Sequence, residues 1–380
     1  MRGDEDRVNM RDVFILGAGL YRYGIFPEIP YEIMGIEACE NALIDAGIHW
    51  QDIPIGYCST SNLYGGAGHA IARIMGATGI TMTNVENASA GGCAAFREAY
   101  LAIASGIYDL AIAMGVDKLR AYRKDTSQAG REITKASINT LMMQGFAERA
   151  RQHMDKYGTT IDQLAMVSVK NHFNGSLNPY AHFQKAVTLE EVHTARMVAN
   201  PLTVLHCCPW DEGAAAVILC AGDVLRRFTN RTCPKVLASI CTGAITDTDP
   251  LVGLTEIASQ KAYDTAGIDA QDLDIVELHD AATIEEILYC EALGLCEKGD
   301  GGRLIEGGFT SIRGRIPVNT SGGLISMGHP IGPTGLGQIA EILWQMRGQA
   351  GNRQIEHAPK IGLTHMVGAW EVCFIHILGM

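Results

Sequence analysis

Thr83-Asn84-Val85-Glu86-Asn87-Ala88-Ser89-Ala90-Gly91-Gly92-Cys93-Ala94-Ala95-Phe96 runs from a short apolar segment into a helical pattern through a turn that carries Ser89. A strand-to-helix turn exposes its middle residue. It also directs the unpaired N–H groups and positive dipole end of the helix at whatever docks there. Such a place suits chemistry on a carbonyl.

Strand and helix patterns alternate on both sides of this turn. Residues 13–17 read as a buried strand and 31–47 as a helix that Gly47 stops. Gly17-Ala18-Gly19 suggests a dinucleotide loop, but the third glycine falls at Gly24 and the G-x-G-x-x-G spacing fails. Strands follow at 53–58, 81–85 and 110–115, with helices at 69–75 and 91–105, which predicts a sheet with helices on its faces. Between 116 and 210 the pattern changes to long amphipathic stretches, 141–157 and 161–173, read as a helical insertion. A strand resumes at 214–220, and a second series starts at 236–242. It continues through 276–278, 283–293, 339–346, 361–363 and 372–378.

The second series echoes the first. Asp45-Ala46-Gly47-Ile48-His49-Trp50-Gln51-Asp52-Ile53 returns as Thr265-Ala266-Gly267-Ile268-Asp269-Ala270-Gln271-Asp272-Leu273, each a helix end, a glycine cap and a connector to the next strand. A duplicated α/β fold follows. Its expected parts are a first half at 1–115, a helical loop domain at 116–210, a last strand and linker at 211–233, and a second half at 234–380.

Composition narrows the function classes. A net charge of −12 argues against a general nucleic-acid binder, which needs clustered Lys and Arg. The 11 cysteines include no C-x-x-C pair, and Cys207-Cys208 are adjacent, so neither a zinc site nor a disulfide framework is expected. No apolar run is long enough for a membrane span, and residues 1–12 are charged where a signal peptide would be apolar, so a cytoplasmic protein is expected.

Three histidines follow strands or glycine-rich turns. His279-Asp280 follows a strand directly, His329 sits in Gly328-His329-Pro330-Ile331-Gly332, and His365 lies in Thr364-His365-Met366-Val367-Gly368. Dense glycines let backbone approach a ligand, and Pro330 biases His329 away from helix, as suits a general base or oxyanion donor.

These residues resemble a known family. Val85-Glu86-Asn87 through Gly92, with Ile107-Tyr108-Asp109 beyond, is similar to the nucleophile region of the thiolase superfamily, in its sterol-carrier-type and archaeal acetyl-CoA acetyltransferase branch. Residues 319–337 resemble that family's N-x-S-G-G…G-H-P-x-G-x-T-G block, His279-Asp280 its H-D-x-F block, and residues 209–217 its P-x-x-D-G-A-A-A-V strand. The resemblance implies a duplicated βαβαβαββ thiolase fold in five αβαβα layers, with a helical loop-domain insertion. It implies an acyl-CoA substrate, no bound cofactor and a homodimer, joined in this branch by a small zinc-ribbon/OB-fold partner. By the same resemblance Ser89, His279 and His329 fall at catalytic positions, and His365, placed by its strand end, completes the expected catalytic set. Asn319, Gly328 and Gly368 support the oxyanion site and its loops, and Ser321, Gly322 and Met327 bind substrate.

The chain departs from the family at the reacting groups. Ser89 stands where the C-x-x-G motif has its cysteine, and Cys93 lies a helical turn away, about 5–6 Å along the axis. The two usual homes of a second cysteine hold Ala281 and, near the C-terminus, the His365-Met366-Val367 segment. Met327 and Trp370 suggest an apolar acyl pocket. Three readings follow: thiolytic acyl transfer with Ser89 as a replacement for a native cysteine, retro-aldol cleavage of a β-hydroxyacyl-CoA without a covalent intermediate, and a non-catalytic acyl-CoA or lipid binder. Acyl transfer is placed slightly ahead of retro-aldol cleavage, and the three candidate histidines count against the non-catalytic binder.

Overall fold

The computed structural model describes residues 10–63, 65–119 and 132–380. In the first half, strand β1 (Val13–Gly24) leads to α1 (Tyr31–Ala46), β2 (Ile55–Ser59), α2 (Ala67–Met75), β3 (Thr81–Val85), α3 (Gly91–Ala104) and β4 (Leu110–Asp117). The insertion contributes α4 (Glu132–Tyr157), α5 (Ile161–Ser176), α6 (Leu189–Thr194) and the short pair β5 (Met197–Ala199) and β6 (Leu202–Thr203). Strand β7 (Glu212–Ala221) then closes the first half. The second half runs β8 (Lys235–Gly243), α7 (Val252–Ala266), β9 (Ile275–Glu277), α8 (Thr283–Ala292), α9 (Gly301–Glu306), α10 (Gly323–Ser326), α11 (Thr334–Met346), β10 (Ile361–Gly368) and β11 (Val372–Gly379).

Among the described residues, nine strands lie in the order β3-β2-β4-β7-β1-β8-β11-β10-β9. The join between halves is narrow: β1 meets β8 at the single pair Phe14–Lys235, with the Ile15 amide donating to the Pro234 carbonyl at 2.9 Å. Away from that corner the halves separate and enclose α3 and α11, which touch strands of both. Helix α1 covers the outer face of the first half and α7 that of the second. This is the five-layer αβαβα arrangement.

The sequence echo is a structural repeat. Gly47 and Gly267 both take left-handed backbone, at φ 72° and 68°. Two residues later His49 and Asp269 each donate their amide to an aspartate three positions on, Asp52 and Asp272, both at 2.8 Å. The halves differ at the third strand. In the second half it shrinks to one bridge, Val276–Val318, next to Pro317, which has no N–H to extend the ladder.

Strand β1 continues through Gly17 and Gly19, with a register shift against β7 between Ile15 and Gly17, well past the predicted end at residue 17. These glycines exist for packing: a Cβ at Gly19 would lie 2.3 Å from the Ala42 amide nitrogen and 2.4 Å from the Ala38 carbonyl oxygen of α1. The insertion emerges from the first half yet packs on the second. Phe146 and Ala150 of α4 and Leu164 and Val167 of α5 share a buried cluster with Ile284, Ile287 and Leu288 of α8. No described helix is long and apolar enough to cross a membrane.

Because backbone cannot yield as a flexible side chain does, Gly19→Ala is expected to push α1 off the sheet and cost about 2–3 kcal/mol. A urea titration of the two proteins measures it; equal midpoints would contradict the close-packing account.

Candidate active site

The site forms where the starts of α3 and α11 meet. A Cβ at Gly92 would fall 2.7 Å from the Gly332 carbonyl oxygen, and one at Gly335 would fall 2.5 Å from Cys93 Sγ. Only glycine permits this approach, and it carries the turn before α11 to the turn before α3. Asp117, at the end of β4, fastens the contact: it accepts the Thr60 hydroxyl at 2.7 Å and the Asn62 amide at 2.7 Å, while its other oxygen accepts the Gly332 amide at 2.7 Å.

The contact brings together residues 240 positions apart. Ser89 Oγ lies 2.9 Å from His329 Nε2, and His329 Nδ1 lies 2.9 Å from Thr334 Oγ1. The tautomer with its proton on Nδ1 donates to Thr334 and leaves Nε2 to accept the Ser89 hydroxyl. Ser89 is half-buried, so its oxygen can meet a ligand. Burial, and next the neighbouring His279, hold the His329 imidazole well below its ordinary pKa.

His279 completes the group. Its ring stands edge-on to His329, with centroids 5.6 Å apart and planes at 88°. Its Nε2 is buried without a hydrogen-bond partner among the described residues. Its Nδ1 is 3.2 Å from Glu285 Oε2, within ion-pair range but misaligned for a hydrogen bond. A buried ring nitrogen without a partner, beside a reactive hydroxyl, suits a donor that waits for a ligand oxygen.

His365 does not join them. Residues alternate across a strand, and on β10 Met366 packs with Ala90 and Ala94 beneath the Ser89 turn. His365 therefore faces the outer layer, where Nε2 lies 2.9 Å from Thr255 Oγ1 of α7 and the ring sits 4.4 Å from that of Tyr289 of α8. The expectation of a catalytic His365 is corrected by this parity. Cys93 is also set apart: its fully buried thiol lies against Gly335, and burial pushes its pKa far up, which disfavours the thiolate.

The supporting residues divide in a similar way. Asn319, at φ 57°, accepts the Leu278 amide at 2.8 Å and so fixes the chain entering His279. Gly368 permits the end of β10 to touch the nucleophile turn, since a Cβ would lie 2.3 Å from the Asn87 carbonyl oxygen. Ser321, Gly322 and Met327, expected to bind substrate, spend their contacts on the framework. The Ser321 hydroxyl donates to Glu277 at 2.6 Å, Gly322 allows α5 to approach at Gly175, and buried Met327 packs toward Gly337. Trp370, expected at an acyl pocket, stands edge-on to Phe146 of α4 at 5.9 Å, which ties the β10–β11 turn to the insertion.

Sequence reasoning gave no role to Thr334, His182 or Asp211. Asp211 Oδ2 accepts the His329 amide at 3.0 Å, and Asp211 Oδ1 lies 2.5 Å from His182 Nδ1. Asp211 stands within the quoted 209–217 segment, and that was its only signal.

The duplicated five-layer arrangement, with two helices packed between the halves of the sheet, defines the thiolase fold class. The comparisons with known proteins agree: the thiolase N-terminal domain matches residues 18–223 and the thiolase C-terminal domain-like family matches 241–379. The chain belongs to the thiolase family. It is 41% identical over 371 residues to an acetyl-CoA acetyltransferase of Methanothermobacter thermautotrophicus, covering 94% of this chain and 97% of that one. It is 34% identical over 385 residues to sterol carrier protein 2 of Bos taurus, covering 94% of this chain and 70% of the relative. Among solved structures, the Ltp2-ChsH2(DUF35) aldolase shares the fold with a TM-score of 0.82 at 22% identity, over 97% of each chain.

The depressed His329 pKa has a testable sign. The ring stays neutral from pH 8 down past 6.5, and its capacity to accept a proton is lost only as pH falls through the lowered value. Ring-nitrogen NMR is expected to show His329 untitrated at pH 6; an imidazolium signal there would contradict the geometry.

Proposed function

We propose that this chain breaks a carbon–carbon bond beside a CoA thioester by retro-aldol cleavage of a β-hydroxyacyl-CoA. The observation that carries the reading is the composition of the Ser89 face. It offers a hydroxyl 2.9 Å from a neutral imidazole and an open His279 nitrogen, while Cys93 is sealed against α11 and Met366 occupies the strand face below. A serine hydroxyl stays protonated near neutrality, and the other partner of the His329 ring is the neutral Thr334 hydroxyl, so among the described residues no carboxylate bonds the ring as in a Ser-His-Asp triad. Covalent attack by Ser89 is disfavoured on both counts.

Retro-aldol cleavage asks less of these groups. The substrate's β-hydroxyl gives its proton through Ser89 Oγ to His329 Nε2, and the O–H electrons become the new carbonyl bond. The Cα–Cβ bond breaks, and its electron pair passes into the thioester enolate, whose oxygen accepts a hydrogen bond from His279 Nε2–H. The proton on His329 then returns to Cα. The products are a ketone or aldehyde and a shortened acyl-CoA, with no free CoA consumed.

Acyl transfer is the second reading, favoured by the placement of Ser89 at the start of α3, where a cysteine would be activated. Two arms separate the readings. A panel of branched β-hydroxyacyl-CoAs is expected to release a ketone or aldehyde without added CoA, and a silent panel overturns the retro-aldol route. Incubating the Ser89→Cys protein with acyl-CoA and measuring intact mass tests the other, since an acyl adduct supports acyl transfer. With the aldol chemistry in place, His279→Ala is expected to lower kcat by about 10²–10³-fold, the usual cost of one oxyanion donor.

The assembly proposed is a homodimer with a small zinc-ribbon/OB-fold partner. Strand β3 is one of the two edge strands of the nine-stranded order, the one in the first half, and offers an edge to a second copy. Light scattering is expected to give twice the chain mass; a monomer would count against the dimer.

A further inference from the structure

His329 is held through its main chain as well as its ring. Asp211 Oδ2 accepts the His329 amide at 3.0 Å, and the turn is shaped around that oxygen: a Cβ at Gly328, φ 116°, would lie 1.8 Å from it. On the other side of the carboxylate, His182 Nδ1 donates to Asp211 Oδ1 at 2.5 Å. The loop carrying His182 is laced to the same turn: the His182 amide donates to the Met327 carbonyl at 2.8 Å, and the Phe183 amide donates to the Ser326 carbonyl at 3.0 Å. The Ser326 hydroxyl returns a bond to the Phe183 carbonyl at 3.0 Å.

The Asp211 side chain is fully buried, whereas the His182 side chain is 19% exposed. A buried carboxylate needs a partner, and among the described residues Asp211 hydrogen-bonds with His182 and the His329 amide. Burial pushes the Asp211 carboxyl up, and the strongest opposing influence is the His182 hydrogen bond. Removing the His182 donor therefore leaves an oxygen unpaired beside the turn that sets His329, although His182 itself touches neither Ser89 nor His279.

We propose that His182 and Asp211 form a positioning pair for His329, so that the loop following α5 sets the placement of the proton-handling imidazole from behind. This rests on the reading in which His329 exchanges a proton with the group at position 89. The pair binds no substrate; it fixes the backbone from which the imidazole projects, while Thr334 fixes the ring.

The test uses a thiol as reporter and needs no substrate. In Ser89→Cys protein the pH dependence of iodoacetamide alkylation at position 89, read by peptide mass mapping, reports how well His329 takes the thiol proton. Adding His182→Phe removes the donor at similar ring size and is expected to raise the alkylation midpoint by about one pH unit and slow the reaction about tenfold at pH 7. His182→Asn places an amide donor near Nδ1 and is expected to restore the profile to within about twofold. That restoration separates a hydrogen-bonding role from simple loss of packing. A His182→Phe profile superimposable on that of its parent overturns the proposal. If S89C alone alkylates as an ordinary thiol, with a midpoint near the usual ~8.5, the Ser89–His329 proton exchange fails instead. The pair is then judged by ring-nitrogen NMR of His329: a changed tautomer balance in H182F upholds it and identical signals overturn it.

Discussion

Everything at the site depends on one close contact, where the starts of α3 and α11 touch through glycine. Gly92 lies against the Gly332 carbonyl and Gly335 against the Cys93 thiol. A single methyl group at either place would hold the helices apart. Both helices lie between the two halves of the sheet, so their separation also sets how the halves stack. The 2.9 Å distance between Ser89 Oγ and His329 Nε2 is a consequence of layer packing.

The elements around that contact divide the work. Asp117 clasps the turn before α11 to the loop after β2, and Asp211 holds it from the insertion side. Both are buried carboxylates whose oxygens accept backbone amides, an arrangement that fixes a turn because each unmade bond would leave a buried charge unsatisfied. His279 stands on the chain leaving β9, which Asn319 holds at Leu278. Two halves related by duplication thus contribute different chemistry: the first supplies the hydroxyl and a helix start, the second supplies both imidazoles.

Much of this was legible in the residues. The glycine-capped connectors at 47–53 and 267–273 showed the duplication because the same cap and connector geometry was needed twice. The Ser89 turn, the His329 turn and the Asn319 segment were readable because unusual backbone demands unusual composition. Other features were not readable. The strand was read as ending at Gly17, yet it continues through Gly19, and the missing side chains of both glycines admit α1. Ser321, Gly322 and Met327 looked like a ligand wall because glycine-rich segments approach ligands and neighbouring backbone equally well, and here the neighbour is protein. His182 gave no signal, since a histidine in a polar loop has no local pattern to mark its partner.

By itself the sequence determined the thiolase family, the order of the elements and the serine at position 89, since each is written in local composition and spacing. Tertiary structure decided which of three similar histidines stand beside Ser89. His365 and Met366 are adjacent, and strand alternation guarantees that only one faces the site. Which one depends on the face that β10 turns toward α3, a long-range packing outcome that no local pattern encodes. The same holds for Cys93, one helical turn from Ser89 and sealed by Gly335 of a distant helix. Chemistry at this site was decided by which side chains the layers left facing one another.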